Sequence, residues 1–354
     1  MIFDLDNIEN IKKYDSGNML GVISALADQC AAARQLAKQW VVPAEFDQVQ
    51  HIIVAGMGGS AIGGDLLRVY ANTKVQVPIA VARDYRLPAF VGPQTLVIAT
   101  SFSGNTEETL SAFREAQEKG AQIAVITSGG ELLKLAQHYE YPVVVIPGGI
   151  SPRAATGYLL IPALMLLEQL NLVGDVQREL DEVESMLRHM ADELGPATPV
   201  SDNLAKQLAL RLFEKLPVIY GVVGSTETVA IRWKGQINEN AKAPAFWNLF
   251  PEMNHNEIVG FEYPAEILQR MELVILRDHQ DPGRIQQRIE ITKGVIASQV
   301  AGITEVQSRG ESTLARIFSL TYIGDYVSFY LALLNGADPT PVHMIDYLKN
   351  ELAK

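Results

Sequence analysis

The chain has 354 residues, 48% of them hydrophobic and 20% charged, which is enough apolar material for two domains and gives no compositional basis for wholesale disorder. Forty-one acidic residues against 29 basic give a net charge of −12, which opposes nucleic acid and anionic membrane surfaces as partners. A small anionic ligand stays open, because helix N-termini and a few basic side chains can make a locally positive site inside an acidic protein.

The N-terminus, Met1-Ile2-Phe3-Asp4-Leu5-Asp6, lacks the basic region and long apolar core of an export signal. A helix is expected over 20–40, within an N-terminal helical segment spanning 1–45. It carries the single cysteine, Cys30, which has no partner for an internal disulfide and reads as a small buried hydrophobe; such cysteine usage fits a cytoplasmic location. From His51, short apolar runs alternate with amphipathic stretches, the pattern of βαβ units carrying a parallel sheet. Strands are expected at 52–55, 78–82, 95–100, 122–127 and 142–146. Helices fall at 60–71, 106–119 and 131–139, with Gly120 placed to end the second of them. These elements make a first α/β domain over 46–155.

Residues 156–200 read as a helical connection in which Leu180, Val183, Met186, Leu187 and Met190 recur among charged residues until Gly195-Pro196 stops the run. Its apolar stretch 159–167 holds Pro162 and is too short for a membrane helix of about 20 residues. The second α/β domain, 201–354, opens with a strand at 217–223, the turn Gly224-Ser225-Thr226 and a helix to about 239. That order repeats the strand, Gly-Ser turn and helix of the first domain and points to duplication. Strands follow at 272–277 and 303–306, then a long apolar segment, 313–334, expected to be a buried helix. A last helix begins at Pro341, with Val342, Ile345 and Leu348 expected to face the core. No membrane span is expected.

Two loops carry the chemistry. Gly56-Met57-Gly58-Gly59-Ser60 follows a buried strand and opens a helix, so backbone N–H groups can approach an oxyanion unobstructed. Gly56, Gly58 and Ala61 also satisfy G-x-G-x-x-A, with Asp84 after the next strand where a ribose-binding acid sits, so a dinucleotide reading stands beside a turn kept for packing alone. Ser101-Phe102-Ser103-Gly104-Asn105-Thr106 sets three hydroxyls beside another helix N-terminus. A helix cap needs one hydroxyl; three suit a phosphate monoester. G-x-x-x-x-G-K-[ST] is missing, which argues against a P-loop nucleotide site.

These two strings, the Ser151-Pro152-Arg153 step, Asn238-Glu239-Asn240, Glu252-Met253-Asn254-His255-Asn256-Glu257 and the C-terminal Thr340-Pro341 with Leu348-Lys349 resemble the bifunctional phosphoglucose/phosphomannose isomerases. That family is a branch of the phosphoglucose isomerase superfamily. The resemblance runs from about residue 45 onward. It implies two sugar-isomerase (SIS) domains, α-β-α sandwiches with mainly parallel sheets, and interconversion of glucose 6-phosphate and mannose 6-phosphate with fructose 6-phosphate. It further implies that Gly59, Ser60, Ser101, Ser103 and Thr106 bind the substrate and that Glu239 moves a proton between C2 and C1. By the same resemblance Arg153 stabilises the enediolate, His255 and Lys349 assist ring opening, and the protein is a homodimer with shared active sites. Neither cofactor nor metal is expected: no histidine pair has ligand spacing on a helix. A sensor that binds the same sugar phosphates without chemistry and an NAD(P)-dependent dehydrogenase are the alternatives. The other histidines, His51, His138, His189, His279 and His343, read as structural or surface residues.

Overall fold

A computed structural model describes residues 3–43, 46 and 48–352. Residues 45 and 354, the ends of the expected N-terminal segment and second domain, lie outside them. In chain order the elements are α1 (Ile8–Tyr14), α2 (Met19–Ser24), α3 (Leu26–Lys38), β1 (His51–Ala55), α4 (Gly58–Ala71), β2 (Ile79–Ala82), β3 (Thr95–Ser101), α5 (Glu107–Glu118), β4 (Gln122–Thr127), α6 (Gly130–His138), β5 (Val143–Val145), a 3₁₀ turn at Pro152–Ala154, α7 (Thr156–Gln169) and α8 (Gln177–Leu194). Then come α9 (Leu204–Leu212), β6 (Leu216–Val222), α10 (Glu227–Ala241), β7 (Phe246–Phe250), 3₁₀ turns at Glu252–His255 and Glu257–Glu262, α11 (Ala265–Leu268), β8 (Met271–Arg277), α12 (Gly283–Ile296), β9 (Gly302–Gln307), α13 (Thr313–Leu334) and α14 (His343–Leu352). The chain divides into two compact units. The first comprises Ala25–Leu187 with Gly310–Ile317, and the second comprises the described residues up to Ser24, Arg188–Arg309 and those from Phe318 onward.

The single helix expected over 20–40 is broken at Ala25, whose ψ of 10° leaves the helical range between α2 and α3. The break coincides with the division between the units.

In the first unit the sheet runs β2-β1-β3-β4-β5, all parallel. Strands β1, β3 and β4 are buried nearly throughout, as unbroken Val/Ile/Ala runs are when helices cover both faces. Ile53, Val97, Ile123 and Val125 pack with Phe113 and Ala116 of α5 and with Leu132 and Ala136 of α6. On the other face α4 comes so close that a side chain on Gly64 would meet Val54 at 2.7 Å.

The second unit has the order β7-β6-β8-β9, again all parallel. This repeats β2-β1-β3-β4 with no counterpart of β5, so the duplication expected from the two Gly-Ser turns is present in the topology. Val218, Tyr220, Val222, Phe250, Met253, Leu273, Ile275, Ile289 and Ile296 form its core. Strand β7 and helices α9, α11 and α12 were not expected from the sequence. β7 is an edge strand whose Phe246 and Trp247 stay exposed, so its side chains do not alternate between water and core. α13 is long and apolar enough to cross a membrane by length and composition, yet residues 314–334 are buried inside the protein. Apolar residues on all sides are what a fully enclosed core helix requires. α14 departs from expectation: none of its residues is buried, and Leu348 is 57% exposed instead of facing a core.

Candidate active site

The strand order of the first unit reverses between β1 and β3, so the loops leaving their C-terminal ends flank the crevice where α/β sheets bind ligands. The two loops are joined directly. A Cβ on Gly56 would lie 2.8 Å from the Thr100 carbonyl oxygen, and the Phe102 N–H donates to Ser60 Oγ at 3.2 Å. Within the second loop, Ser101 Oγ accepts from the Gly104 N–H at 3.1 Å and pairs with Thr106 Oγ1 at 2.9 Å, while Ser103 Oγ accepts from the Asn105 N–H at 3.3 Å. Gly104 has φ of +70°, and any side chain there would sit 1.8 Å from the Gly129 carbonyl oxygen. Only glycine can hold this turn. From beneath, Ser128 Oγ donates to the Phe102 carbonyl at 2.5 Å and Asn105 Oδ1 accepts from the Glu131 N–H at 3.0 Å.

Thr106 stands at the N-cap of α5 but makes no capping hydrogen bond with its side chain. Its hydroxyl is turned to Ser101, so a simple helix cap does not explain the residue. Helix α4, whose N-cap position is Met57, likewise has no side-chain cap. Two helices from adjacent parallel strands therefore start with uncapped N–H groups at one edge of the sheet, an arrangement that attracts anions. Ser60 and Ser101 are buried and Ser103 is exposed at the rim. Arg153 is also buried, on the 3₁₀ turn that packs against the first loop: a Cβ on Gly59 would meet the Pro152 carbonyl oxygen at 2.6 Å and the Arg153 nitrogen at 3.2 Å. The structure thus gathers Gly59, Ser60, Ser101, Thr106 and Arg153, with Ser103 at the lip.

The corresponding turn of the second unit is filled by its own side chains. Glu227 Oε2 accepts from the Gly224 N–H at 3.1 Å, and Ser225 Oγ donates to Asp281 Oδ1 at 2.6 Å. Thr226 Oγ1 accepts from the Val222 N–H at 2.8 Å and donates to the Leu276 carbonyl at 3.3 Å. A carboxylate already occupies this helix N-terminus. The signal in the sequence was Glu227 as the first residue of the helix, which the repeat alone did not reveal.

Glu239, His255 and Lys349 belong to the second unit and stand on three separate elements. Glu239 is half-buried in the last turn of α10. α10 is fastened to α13 by a buried polar ladder. Arg232 Nη2 donates to both Asp325 oxygens at 2.8 Å, Gln236 Nε2 to Asp325 Oδ1 at 2.7 Å, Trp233 Nε1 to the Leu320 carbonyl at 2.8 Å and Asn240 Nδ2 to Ser328 Oγ at 3.0 Å. Burial raises the Asp325 carboxyl above its usual range, and Arg232 acts in the opposite direction. The carbonyls at the end of α10 are met by side chains as well: Lys242 Nζ donates to the Glu239 carbonyl at 2.6 Å and Asn335 Nδ2 to the Ala241 carbonyl at 2.9 Å. Asn238 Nδ2 donates to the Ala243 carbonyl at 2.8 Å. Both asparagines of Asn238-Glu239-Asn240 thus bracket Glu239 structurally.

His255 ends a 3₁₀ turn, exposed, and its ring makes no hydrogen bond or ion pair with the described residues. The side chains around it are tied down: Asn254 Nδ2 donates to Thr292 Oγ1 at 2.8 Å and Asn256 Nδ2 to Glu252 Oε1 at 3.0 Å. Lys349 is exposed on α14 and equally unpaired among the described residues. Of the remaining histidines, His51 lies against Phe90, His138 against Tyr139, and His189 pairs with Glu193 at 3.1 Å. Among the described residues no cluster of three or more His, Cys, Asp or Glu side chains is arranged to hold a metal ion.

Comparison with known proteins matches residues 201–352 to the family described as the bacterial phospho-glucose isomerase C-terminal SIS domain and residues 45–145 to the SIS domain. A bifunctional phosphoglucose/phosphomannose isomerase from Caldicellulosiruptor bescii is 49% identical over 93% of this chain and 97% of its own length. One from Aquifex aeolicus is 37% identical over 86% of this chain and 90% of its own. Among solved structures, a glucose-6-phosphate isomerase like protein from Thermus thermophilus superposes with a TM-score of 0.64 at 21% identity, covering 97% of this chain and 99% of that one, a likeness of fold. On these two relatives, the chain belongs to the bifunctional phosphoglucose/phosphomannose isomerase family.

Proposed function

We propose that this protein interconverts glucose 6-phosphate and mannose 6-phosphate with fructose 6-phosphate by proton transfer through an enediolate. The observation that carries the reading is the second loop, where Ser101 and Thr106 bond each other and leave the α5 N-terminus uncapped, in a chain 49% identical to a relative of that name. Ser60, Ser101, Ser103 and Thr106 hold the phosphate and nearby sugar oxygens, with Gly59 binding through its backbone and letting the turn that carries Arg153 pack against the first loop. Glu239 is the general base that carries a proton between C2 and C1, and Arg153 offsets the charge that develops on the enediolate oxygens. His255 and Lys349 exchange protons with the ring oxygen and anomeric hydroxyl as the pyranose opens, a task suited to side chains that can both give and take a proton. A carboxylate and a guanidinium can perform this chemistry without a Lewis acid, so the reaction is metal-free and needs no cofactor. A dinucleotide reading of the first loop gives the hydroxyls of the second nothing to do.

The same reading makes the protein a cytoplasmic homodimer whose active sites draw residues from both chains, with SIS domains over 46–155 and 201–354 joined by 156–200. The test is to give the purified protein each hexose 6-phosphate in turn, with excess chelator present. Fructose 6-phosphate should yield both aldoses. Failure to form either, or activity that chelation removes and zinc restores, would contradict the proposal.

A further inference from the structure

The turn bearing His255 is held at its far end by a carboxylate. Asn256 leaves helical geometry, at φ −148° and ψ −67°, between the 3₁₀ turn that ends at His255 and the one that starts at Glu257, and its side chain accepts from the Glu257 N–H. The Glu257 carboxylate then accepts a hydrogen bond on each oxygen, from the Tyr220 hydroxyl on one and from Asn248 Nδ2 on the other. Tyr220 and Asn248 are directly paired across the parallel strands β6 and β7, so both donors come from one rigid position of the sheet. Tyr220 is fully buried, and burial raises its phenol pKa, which keeps it a donor.

Met253 anchors the near end of the turn in the core. At the far end Tyr220 and Glu257 line a cavity of about 380 Å³ with Phe246, Trp247, Phe261 and Leu268, so there the carboxylate is held by its two hydrogen bonds. The remaining ties, Asn254 to Thr292 and Asn256 to Glu252, hold the turn sideways. His255 itself is exposed, and its ring is unpaired among the described residues.

We propose that Glu257, clamped by Tyr220 and Asn248, is a positioning residue that aims the His255 ring at the sugar. The proposal rests on the ring-opening role given to His255 above. It separates from a merely structural role because a misaimed histidine slows the opening of cyclic substrate but not proton transfer on a substrate that is already open. The probe is 5-deoxyfructose 6-phosphate, which lacks the hydroxyl that closes the ring. Tyr220→Phe and Asn248→Ala should each lower kcat on fructose 6-phosphate about tenfold, with KM and turnover of the open analogue changed by less than about twofold. In a His255→Ala background neither should lower kcat further, because residues acting through one group are not additive. Asn248 is half-buried on an edge strand, so its variant keeps the test open if loss of the Tyr220 hydroxyl prevents folding. Equal losses on both substrates, additive losses with His255→Ala, or wild-type kinetics in the folded clamp variants would overturn the proposal. His255→Ala is the separate control: if it slows both substrates alike, the ring-opening reading fails and the clamp's role with it. If it slows only the cyclic substrate while the clamp variants match wild type, the clamp alone fails.

Discussion

Thr106 is the residue at which two explanations separate. A capping threonine replaced by alanine costs the helix about 1 kcal/mol and leaves phosphate affinity alone. Here the hydroxyl is paired with Ser101 at 2.9 Å and caps nothing, so the loss should fall on the ligand. Hydrogen bonds to charged groups contribute about 1.5–3 kcal/mol, which converts to roughly tenfold or more in affinity. Ser101→Ala and Thr106→Ala should therefore each raise KM for fructose 6-phosphate, and the inhibition constant of inorganic phosphate, by about tenfold, with thermal stability lowered more in Ser101→Ala, which also removes the buried acceptor of the Gly104 N–H. Unchanged phosphate inhibition would place the anion elsewhere. Single residues were legible in the sequence where chemistry is local. Cys30 is indeed buried, with its thiol pushed up by desolvation. Glu227 was not legible, because its occupation of the second helix N-terminus depends on a side-chain direction that spacing alone does not give.

At the scale of elements, the βαβ alternation of the first unit was legible because buried parallel strands are unbroken apolar runs bounded by turns, and β4 and α13 fall on their expected limits. Strand β7 was hidden because an exposed edge lacks that contrast. α14 was misjudged for the opposite reason: its helical period of apolar residues is real, but a period shows which residues share a face and not whether anything covers it. α10 and α13 are joined by polar groups that no period betrays, and a quantitative expectation follows. Removing one partner of a buried ion pair costs about 3–5 kcal/mol, so Asp325→Ala, which takes the paired carboxylate from the buried Arg232 guanidinium, should destabilise the protein by that amount in urea unfolding. The double change of Arg232→Met with Asp325→Leu should recover most of it. A loss below about 1 kcal/mol in the single variant would show that the ladder does not hold α10 in place.

For the whole molecule, the second sheet repeats the order of the first four strands of the first, yet the helix N-termini beside the loops are uncapped in one unit and the matching turn is filled by a carboxylate in the other. The homodimer proposed above makes a further demand. Mixing Glu239→Gln chains with His255→Ala chains gives one intact site per mixed dimer if sites are shared, and random exchange makes about half the dimers mixed, so activity should return to roughly a quarter of wild type. Mixed dimers without recovery would confine each site to one chain. Proton transfer by Glu239 is the centre of the account, and the most direct measurement is NMR of fructose 6-phosphate in deuterium oxide with the wild-type and Glu239→Gln proteins. The wild type should form glucose 6-phosphate and mannose 6-phosphate with deuterium at C2, and Glu239→Gln should form neither while still binding the sugar phosphate. Aldose formed by Glu239→Gln at an undiminished rate would contradict it.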